Sequence, residues 1–195
     1  MSELDSAPIL VVSGFPRSGT SLLMQMLSAA GLPLFCDETR EADVSNPNGY
    51  FELDAVKRLA ADHSWLAGAR GQVVKIVTPL LLQLPATETY RVLMLHRNWE
   101  EILASQCTMR QRVEPEFQMA APVKKMLVET FVKQEKRALS HLEQVSGSTV
   151  LHLEHSDLIH RPETVAPLLS EFLSVAIDPI SFSKPVNRSL YRNRA

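Results

Sequence analysis

Residues 14–21, Gly-Phe-Pro-Arg-Ser-Gly-Thr-Ser, have the clearest chemical potential in this 195-residue chain. Gly14 and Gly19 have the spacing of the Walker A loop, G-x-x-x-x-G-K-[ST], whose backbone amides cradle phosphates. Position 20 is threonine, where that motif needs lysine. The stretch therefore predicts a phosphate-binding loop and disfavours an ordinary nucleoside triphosphatase.

The side chains of this stretch suit an oxyanion. Arg17 carries a permanent charge on a planar fork that can bind two oxygens at once. Ser18, Thr20 and Ser21 add hydroxyl donors, and Gly19 lets the backbone curl closely around an anion. A plain turn between a strand and a helix would need only the glycines and a capping serine. The combination favours an anion site at a helix N-terminus.

This loop needs a strand before it and a helix after it. Four short apolar runs without alternation predict buried parallel strands. They are Ile9–Ser13, Gln72–Val77, Tyr90–Leu95 and Thr149–Leu153. Apolar residues at helical spacing predict five helices, over Thr20–Ala30, Leu53–Ala67, Trp99–Arg112, Val123–Val145 and Thr164–Leu173. Strands that alternate with helices indicate an α/β fold with a mainly parallel sheet.

The bulk composition excludes several classes of protein. Twenty Lys and Arg against 22 Asp and Glu leave a net charge of −2, so no general basic field would attract nucleic acid. Two cysteines are too few for a disulfide framework and lack metal-ligand spacing. The N-terminus lacks signal-peptide features, and no apolar run approaches about 18 residues, the length of a membrane span. We expect one cytoplasmic domain over residues 1–195, with flexible ends at about 1–7 and 184–195, and no metal site.

Cations follow two of the predicted strands, at the edge where α/β folds bind their ligands. Lys75 lies near the end of one strand, and His96 and Arg97 end another. A magnesium-dependent kinase would need the missing loop lysine and an acidic residue after a later strand. The strand ends thus favour a doubly phosphorylated ligand that is held by arginine and lysine without a metal.

Two motifs resemble those of sulfotransferases that use 3′-phosphoadenosine 5′-phosphosulfate (PAPS), especially the bacterial type. The stretch Phe15–Leu23 is similar to their 5′-phosphosulfate loop, P-[KR]-S-G-T-[ST]. Arg97 and Ser105 stand eight residues apart, like the pair that binds the nucleotide 3′-phosphate in that family. The resemblance spans about Ile9 to Leu173. It implies a P-loop NTPase-like three-layer fold with a central, mainly parallel sheet flanked by helices, and PAPS as the donor.

The resemblance also assigns roles to site residues. The segment after the first helix, Asp37-Glu38-Thr39-Arg40, is similar to one in tyrosylprotein sulfotransferases, whose second acidic residue is the base. Glu38 therefore maps onto that base. Cytosolic sulfotransferases use instead a histidine two residues after a strand-end lysine. Here Lys75 matches the lysine but Val77 replaces the histidine, which favours Glu38.

The resemblance implies a sulfotransferase that moves a sulfuryl group from PAPS to an acceptor hydroxyl or amine. Glu38, Arg17 and Lys75 are the implied catalytic residues. The implied nucleotide-binding residues are Arg17, Ser18, Gly19, Thr20, Ser21, Arg97 and Ser105. A P-loop small-molecule kinase with a degenerate loop and an inactive nucleotide-binding protein remain alternatives. The sequence leaves the acceptor and the oligomeric state open, as well as whether the basic tail with Lys184 and Arg188 covers the nucleotide or is solvated.

Overall fold

A computed structural model of the protein describes residues 6–37 and 49–191. The described residues form a parallel sheet of four strands in the order β2-β1-β3-β4. The strands are β1 (Ile9–Gly14), β2 (Val73–Lys75), β3 (Tyr90–His96) and β4 (Thr149–Glu154). All four predicted strands are thus present. β2 is shorter than the sequence pattern suggested.

Six α-helices connect and cover these strands in the described part of the chain. They are α1 (Thr20–Ala29), α2 (Trp99–Gln111), α3 (Ala121–Gln144), α4 (His155–His160), α5 (Pro162–Leu173) and α6 (Pro179–Ser183). Short 3₁₀ helices lie at Asp54–Arg58, Ser64–Ala69, Thr78–Gln83 and Arg188–Leu190. No helix in residues 6–37 and 49–191 is long and apolar enough to cross a membrane.

The continuous helix predicted over Leu53–Ala67 is wrong. Two 3₁₀ helices, Asp54–Arg58 and Ser64–Ala69, occupy this region instead. Between them the Asp62 carboxylate accepts hydrogen bonds from the Ser64 amide at 2.9 Å and from its hydroxyl at 2.6 Å. Such local bonds compete with the backbone bonds of a helix, so they favour a turn at this position.

Apolar side chains on the two faces of the sheet form two cores, which makes the fold three-layered. Leu10 and Val12 of β1 pack with α1, α5 and α6 on one face. Ile9 and Val11 pack with Val74 and the C-terminal part of α3 on the other. Because β1 is covered on both faces, each of its residues is buried. The predicted α/β architecture with a central parallel sheet and flanking helices is confirmed.

The strand order sets where a ligand can bind. After β1 the chain crosses to β2 on one side, and it then passes to β3 on the other side of β1. Open α/β sheets bind ligands at such a reversal, beyond the carboxyl ends of the strands. Gly14, the last residue of β1, pairs with Leu95 of β3, and Val12 pairs with Lys75 of β2. The predicted loop and the strand-end cations therefore meet at this edge.

Candidate functional site

Two glycines shape the loop between β1 and α1. A Cβ on Gly14 would lie 2.8 Å from the Leu95 carbonyl oxygen and would collide with the Ser18 hydroxyl. Gly19 has φ +102°, in the left-handed region, and a Cβ there would collide with the His155 ring. Only glycine meets these two demands without strain, because backbone and ring leave no room for a side chain.

The loop leaves polar groups for a ligand. Gly19 is the N-cap of α1 and has no side chain to accept bonds from the first-turn amides. Ser18 is 1% exposed, and its hydroxyl has no hydrogen-bond partner among the described residues. Buried polar groups almost always form hydrogen bonds. The Ser18 hydroxyl is therefore suited to bond to a ligand. The amides and the hydroxyl together suit an anion.

Aromatic contacts hold the loop in place from outside. Phe15 is 2% exposed. Its ring centroid lies 5.3 Å from that of Trp99 on α2 and 4.7 Å from that of Phe131 on α3. The loop is therefore anchored to two helices that follow it by more than 80 residues in the sequence.

Arg17 links the loop to α2. It has φ 79°, a left-handed conformation that is uncommon for residues other than glycine. Its Nε donates to the Ser105 hydroxyl at 2.9 Å, and its carbonyl oxygen accepts from Arg97 Nη1 at 3.0 Å. The structure thus brings Arg17, Arg97 and Ser105 together. This is what one nucleotide site that contains all three residues requires. Their roles toward a ligand stay predictions.

A buried carboxylate holds Arg97. Arg97 Nε donates to Glu101 Oε2 at 2.8 Å, and the two side chains are 10% and 8% exposed. The Tyr191 hydroxyl donates to Glu101 Oε1 at 2.7 Å, and the Tyr191 ring centroid lies 5.5 Å from the Arg97 guanidinium carbon. Sequence reasoning missed both partners. Glu101 could have been found from its i, i+4 spacing to Arg97, whereas nothing local marks Tyr191.

His155 forms the wall behind Gly19 and was also missed. It is 6% exposed, and its Nδ1 has no partner among the described residues. Burial, and secondly the nearby Arg97 charge, lower the pKa of His155 to about 4. The ring is therefore neutral at physiological pH, and it adds no charge to the arginines beside it.

Lys75 reaches the first turn of α1 from the end of β2. It is 7% exposed and donates to the Tyr50 carbonyl oxygen. Its Nζ lies 3.4 Å from the Ser21 hydroxyl oxygen and 3.6 Å from Glu52 Oε1. A buried ammonium needs such partners, because an uncompensated charge is costly away from water. Lys75 thus adds a third cation to the loop, after Arg17 and Arg97, on the side opposite β3.

Glu38, the predicted base, lies outside the described residues. Its neighbour Asp37 is described, and it bonds to two residues of the next described segment, Glu52 and Asp54. Asp37 Oδ2 accepts from the Asp54 amide at 2.6 Å, and the Asp37 amide donates to the Glu52 carbonyl at 2.8 Å. Asp37 is therefore joined to the segment that includes Glu52, whose carboxylate lies 3.6 Å from Lys75 Nζ.

His96 ends β3 next to Arg97 but faces α3. Its Nδ1 lies 3.2 Å from Glu135 Oε1 on α3, and its Nε2 lies 2.7 Å from His152 Nδ1 on β4. The hydrogen bond with Glu135 raises the pKa of His96, although partial burial opposes this rise. His96 thus fastens α3 to the sheet.

Solved structures with the same arrangement of strands, loop and helices show which fold this is. A sulfotransferase from Mycobacterium tuberculosis superposes with a TM-score of 0.60 at 15% identity, over 97% of this chain and 72% of that chain. The chain has the sulfotransferase fold. The sulfotransferase domain of the Synechococcus olefin synthase gives a TM-score of 0.56 at 17% identity, over 96% of this chain and 80% of that one. The sulfotransferase domain of the curacin biosynthetic pathway gives 0.55 at 18% identity, over 93% and 78%.

Comparisons based on sequence found no match. No protein-family model matches the chain, and no curated protein matches it. The relationship is therefore one of fold, and the fold that the resemblance implied is confirmed.

Proposed function

We propose that the protein is a sulfotransferase that moves a sulfuryl group from PAPS to an acceptor hydroxyl or amine. The observation that carries this proposal is the convergence of cations on one glycine-capped loop. Arg17 lies within the loop, Arg97 joins it from the end of β3, and Lys75 joins it from the end of β2. The sulfotransferase fold supports the same conclusion.

The donor has two anionic ends, and the proposal assigns each to one part of the site. The 5′-phosphosulfate binds the amides at the start of α1 with the hydroxyls of Ser18, Thr20 and Ser21. The 3′-phosphate binds Arg97 and Ser105. The buried Ser18 hydroxyl without a described partner fits the first assignment, because an anion would satisfy it.

In the transfer, the sulfur forms a bond with the acceptor atom as its bond to the 5′-phosphate oxygen breaks. The electron pair of the broken bond stays on that phosphate, which leaves as part of adenosine 3′,5′-bisphosphate. Donors already aimed at this charge stabilise the transition state without reorganisation. We assign this role to Arg17, the loop amides and Lys75, and we assign to Glu38 the removal of the acceptor proton.

Binding of the product nucleotide tests the proposal. A ligand that binds only the native state raises the apparent melting temperature. We expect adenosine 3′,5′-bisphosphate to raise the melting temperature of the protein well above the shift given by AMP or by ATP with magnesium. An equal shift with AMP would contradict the proposal, and a larger shift with ATP and magnesium would indicate a kinase.

A transfer assay separates an enzyme from an inactive nucleotide-binding protein. PAPS is incubated with a panel of phenols, sugars and amines, and release of adenosine 3′,5′-bisphosphate is followed. We expect turnover that Glu38→Gln lowers by at least about 100-fold, as loss of a general base does, with unchanged affinity for the bisphosphate. A variant that keeps full turnover would remove Glu38 from the mechanism.

A further inference from the structure

We propose that Glu52 is a positioning residue that competes with the sulfuryl group of the donor for Lys75. Before the donor binds, the Glu52 carboxylate holds the Lys75 ammonium beside the loop. When the donor binds, a sulfuryl oxygen takes the place of that carboxylate. This role rests on the proposed function, which assigns Lys75 to the reacting end of PAPS.

The Lys75 ammonium lies among three oxygen atoms of the described residues. It donates to the Tyr50 carbonyl oxygen, and its nitrogen lies 3.4 Å from the Ser21 hydroxyl oxygen and 3.6 Å from Glu52 Oε1. An ammonium has three protons to donate. A sulfuryl oxygen that approaches Lys75 therefore has to replace one of these oxygens as its partner.

Burial and distance determine which of these contacts is exchanged. Tyr50 is 7% exposed, and a buried carbonyl that loses its donor is costly. The Ser21 hydroxyl belongs to the loop and is assigned to the same 5′-phosphosulfate. The Glu52 side chain is 31% exposed, so water can solvate its carboxylate after release. Its distance of 3.6 Å from Lys75 is also too long for a hydrogen bond. The contact with Glu52 is therefore the one that a sulfuryl oxygen replaces at the lowest cost.

The backbone around Glu52 keeps its carboxylate within reach of Lys75. Phe51 has φ 52°, a left-handed conformation that is uncommon for residues with a Cβ. The Tyr50 carbonyl and the Glu52 side chain lie on either side of Phe51 in the sequence, and both contact the same ammonium. The Glu52 carbonyl accepts from the Asp37 amide at 2.8 Å. The main chain of Glu52 is thus held while its side chain exchanges.

The exchange makes the partner of Lys75 depend on the sulfuryl group. PAPS carries that group, whereas the product adenosine 3′,5′-bisphosphate lacks it. Glu52 therefore weakens the binding of PAPS, because the sulfuryl group must displace its carboxylate, and it has little effect on the binding of the product. Removal of a residue that only supports the fold would not raise the affinity for one of the two nucleotides.

Calorimetric binding of PAPS and of adenosine 3′,5′-bisphosphate, without an acceptor, tests the inference. At about pH 8 the two nucleotides carry nearly the same charge, because the single charges on the phosphate and the sulfate of PAPS match the two charges on the 5′-phosphate of the product. We expect Glu52→Gln to bind PAPS about three- to fivefold more tightly than the wild type, which is the upper range for a partly exposed ion pair. The affinity for the bisphosphate should change less than about twofold.

Further variants show whether the gain acts through Lys75. In a protein that carries Lys75→Met, Glu52→Gln should give no further gain for PAPS, because no ammonium remains to be released. Glu52→Asp keeps the charge but shortens the side chain by one methylene, so it should also raise the affinity for PAPS. Asp54→Asn is the matched control, since it removes a carboxylate that lies two residues away and pairs with Lys57 and Arg58. It should change neither affinity.

The failures of the two proposals are distinguishable. A wild-type protein without preference for the bisphosphate over AMP would overturn the proposed function and the role of Glu52 with it. If the wild type has that preference but Glu52→Gln gains no affinity for PAPS relative to the bisphosphate, only the role of Glu52 is overturned. A gain for PAPS that persists in the presence of Lys75→Met would also overturn it, because Lys75 would then not be the cause.

Discussion

At the scale of single residues, the loop depends on the absence of a side chain at Gly19. Its φ of +102° lies in the region that residues with a Cβ avoid, and the neutral His155 ring occupies the space a Cβ would need. The backbone conformation is a local constraint on Gly19. The contact with the ring is a tertiary constraint, because His155 lies 136 residues later in the sequence. Gly19 therefore both shapes the loop and lets His155 pack against it.

Gly19→Ala should damage the loop through both constraints. We expect the free energy of unfolding to fall by about 2 kcal/mol, because the left-handed conformation alone costs a non-glycine residue about 1–2 kcal/mol. Affinity for adenosine 3′,5′-bisphosphate should fall at least about tenfold, since the loop amides move. Urea denaturation and calorimetry measure the two effects.

Gly31→Ala is the matched control for this variant. Gly31 has φ +88°, yet a Cβ there would meet no atom within 4 Å. The control should lose about 1 kcal/mol of stability and keep its nucleotide affinity. If both variants bind the bisphosphate equally well, the contact between Gly19 and His155 is not important for the site.

At the scale of elements, α2 and α3 position the loop from outside the sheet. α2 begins with Asn98 as its N-cap, whose side chain accepts from the Glu100 amide at 2.8 Å. This cap fixes where the helix starts, and so where Arg97 and Trp99 lie. α3 is largely exposed in its first half, yet it contributes Phe131 to the aromatic contact with Phe15. Its role at the site is therefore that of an anchor.

Phe131→Ala tests this anchor. Removal of a partly buried aromatic side chain that contacts two other rings should cost about 2 kcal/mol of unfolding free energy. We expect the affinity for adenosine 3′,5′-bisphosphate to fall as well, because Phe15 loses its support. Val132→Ala, at the neighbouring position that is 48% exposed, should change neither quantity. Native affinity in Phe131→Ala would mean that the loop keeps its shape without α3.

At the scale of the whole molecule, the buried neutral His155 links stability to pH. The pKa of His155 is lowered to about 4 in the folded protein, whereas an unfolded chain has a histidine pKa of about 6.5. Between these values the unfolded chain binds a proton that the folded protein does not. Stability therefore falls as the pH decreases from about 6.5 toward 4, and it is unaffected by this group above that range.

A non-titrating variant isolates this contribution. We expect the wild type to lose up to about 3 kcal/mol relative to His155→Gln between pH 7 and pH 4. Urea denaturation of both proteins at several pH values gives the difference, in which the contributions of other groups such as His96 cancel. Parallel pH profiles for the two proteins would show that His155 does not titrate as its burial requires.

The sequence by itself determined the four strands and the class of fold, and it predicted an anion as the ligand. Continuous apolar runs predicted all four strands, because a strand covered on both faces must be apolar throughout. Glycine spacing predicted the loop after β1, and Lys75 and Arg97 predicted cations at the strand ends. The helix predicted over Leu53–Ala67 was wrong because the spacing of apolar residues carries no information on local hydrogen bonds. The bonds from Ser64 to Asp62 are an example.

Only the tertiary structure decided which groups meet at the loop. Arg17 reaches Ser105 across 88 residues, Tyr191 binds Glu101 across 90 residues, and His155 packs against Gly19. The sequence signals used here are local, since they come from neighbours along one strand or one turn. Contacts between distant segments depend on strand order and on the packing of α2, α3 and α4 around the sheet, which the chain acquires only when the whole core forms.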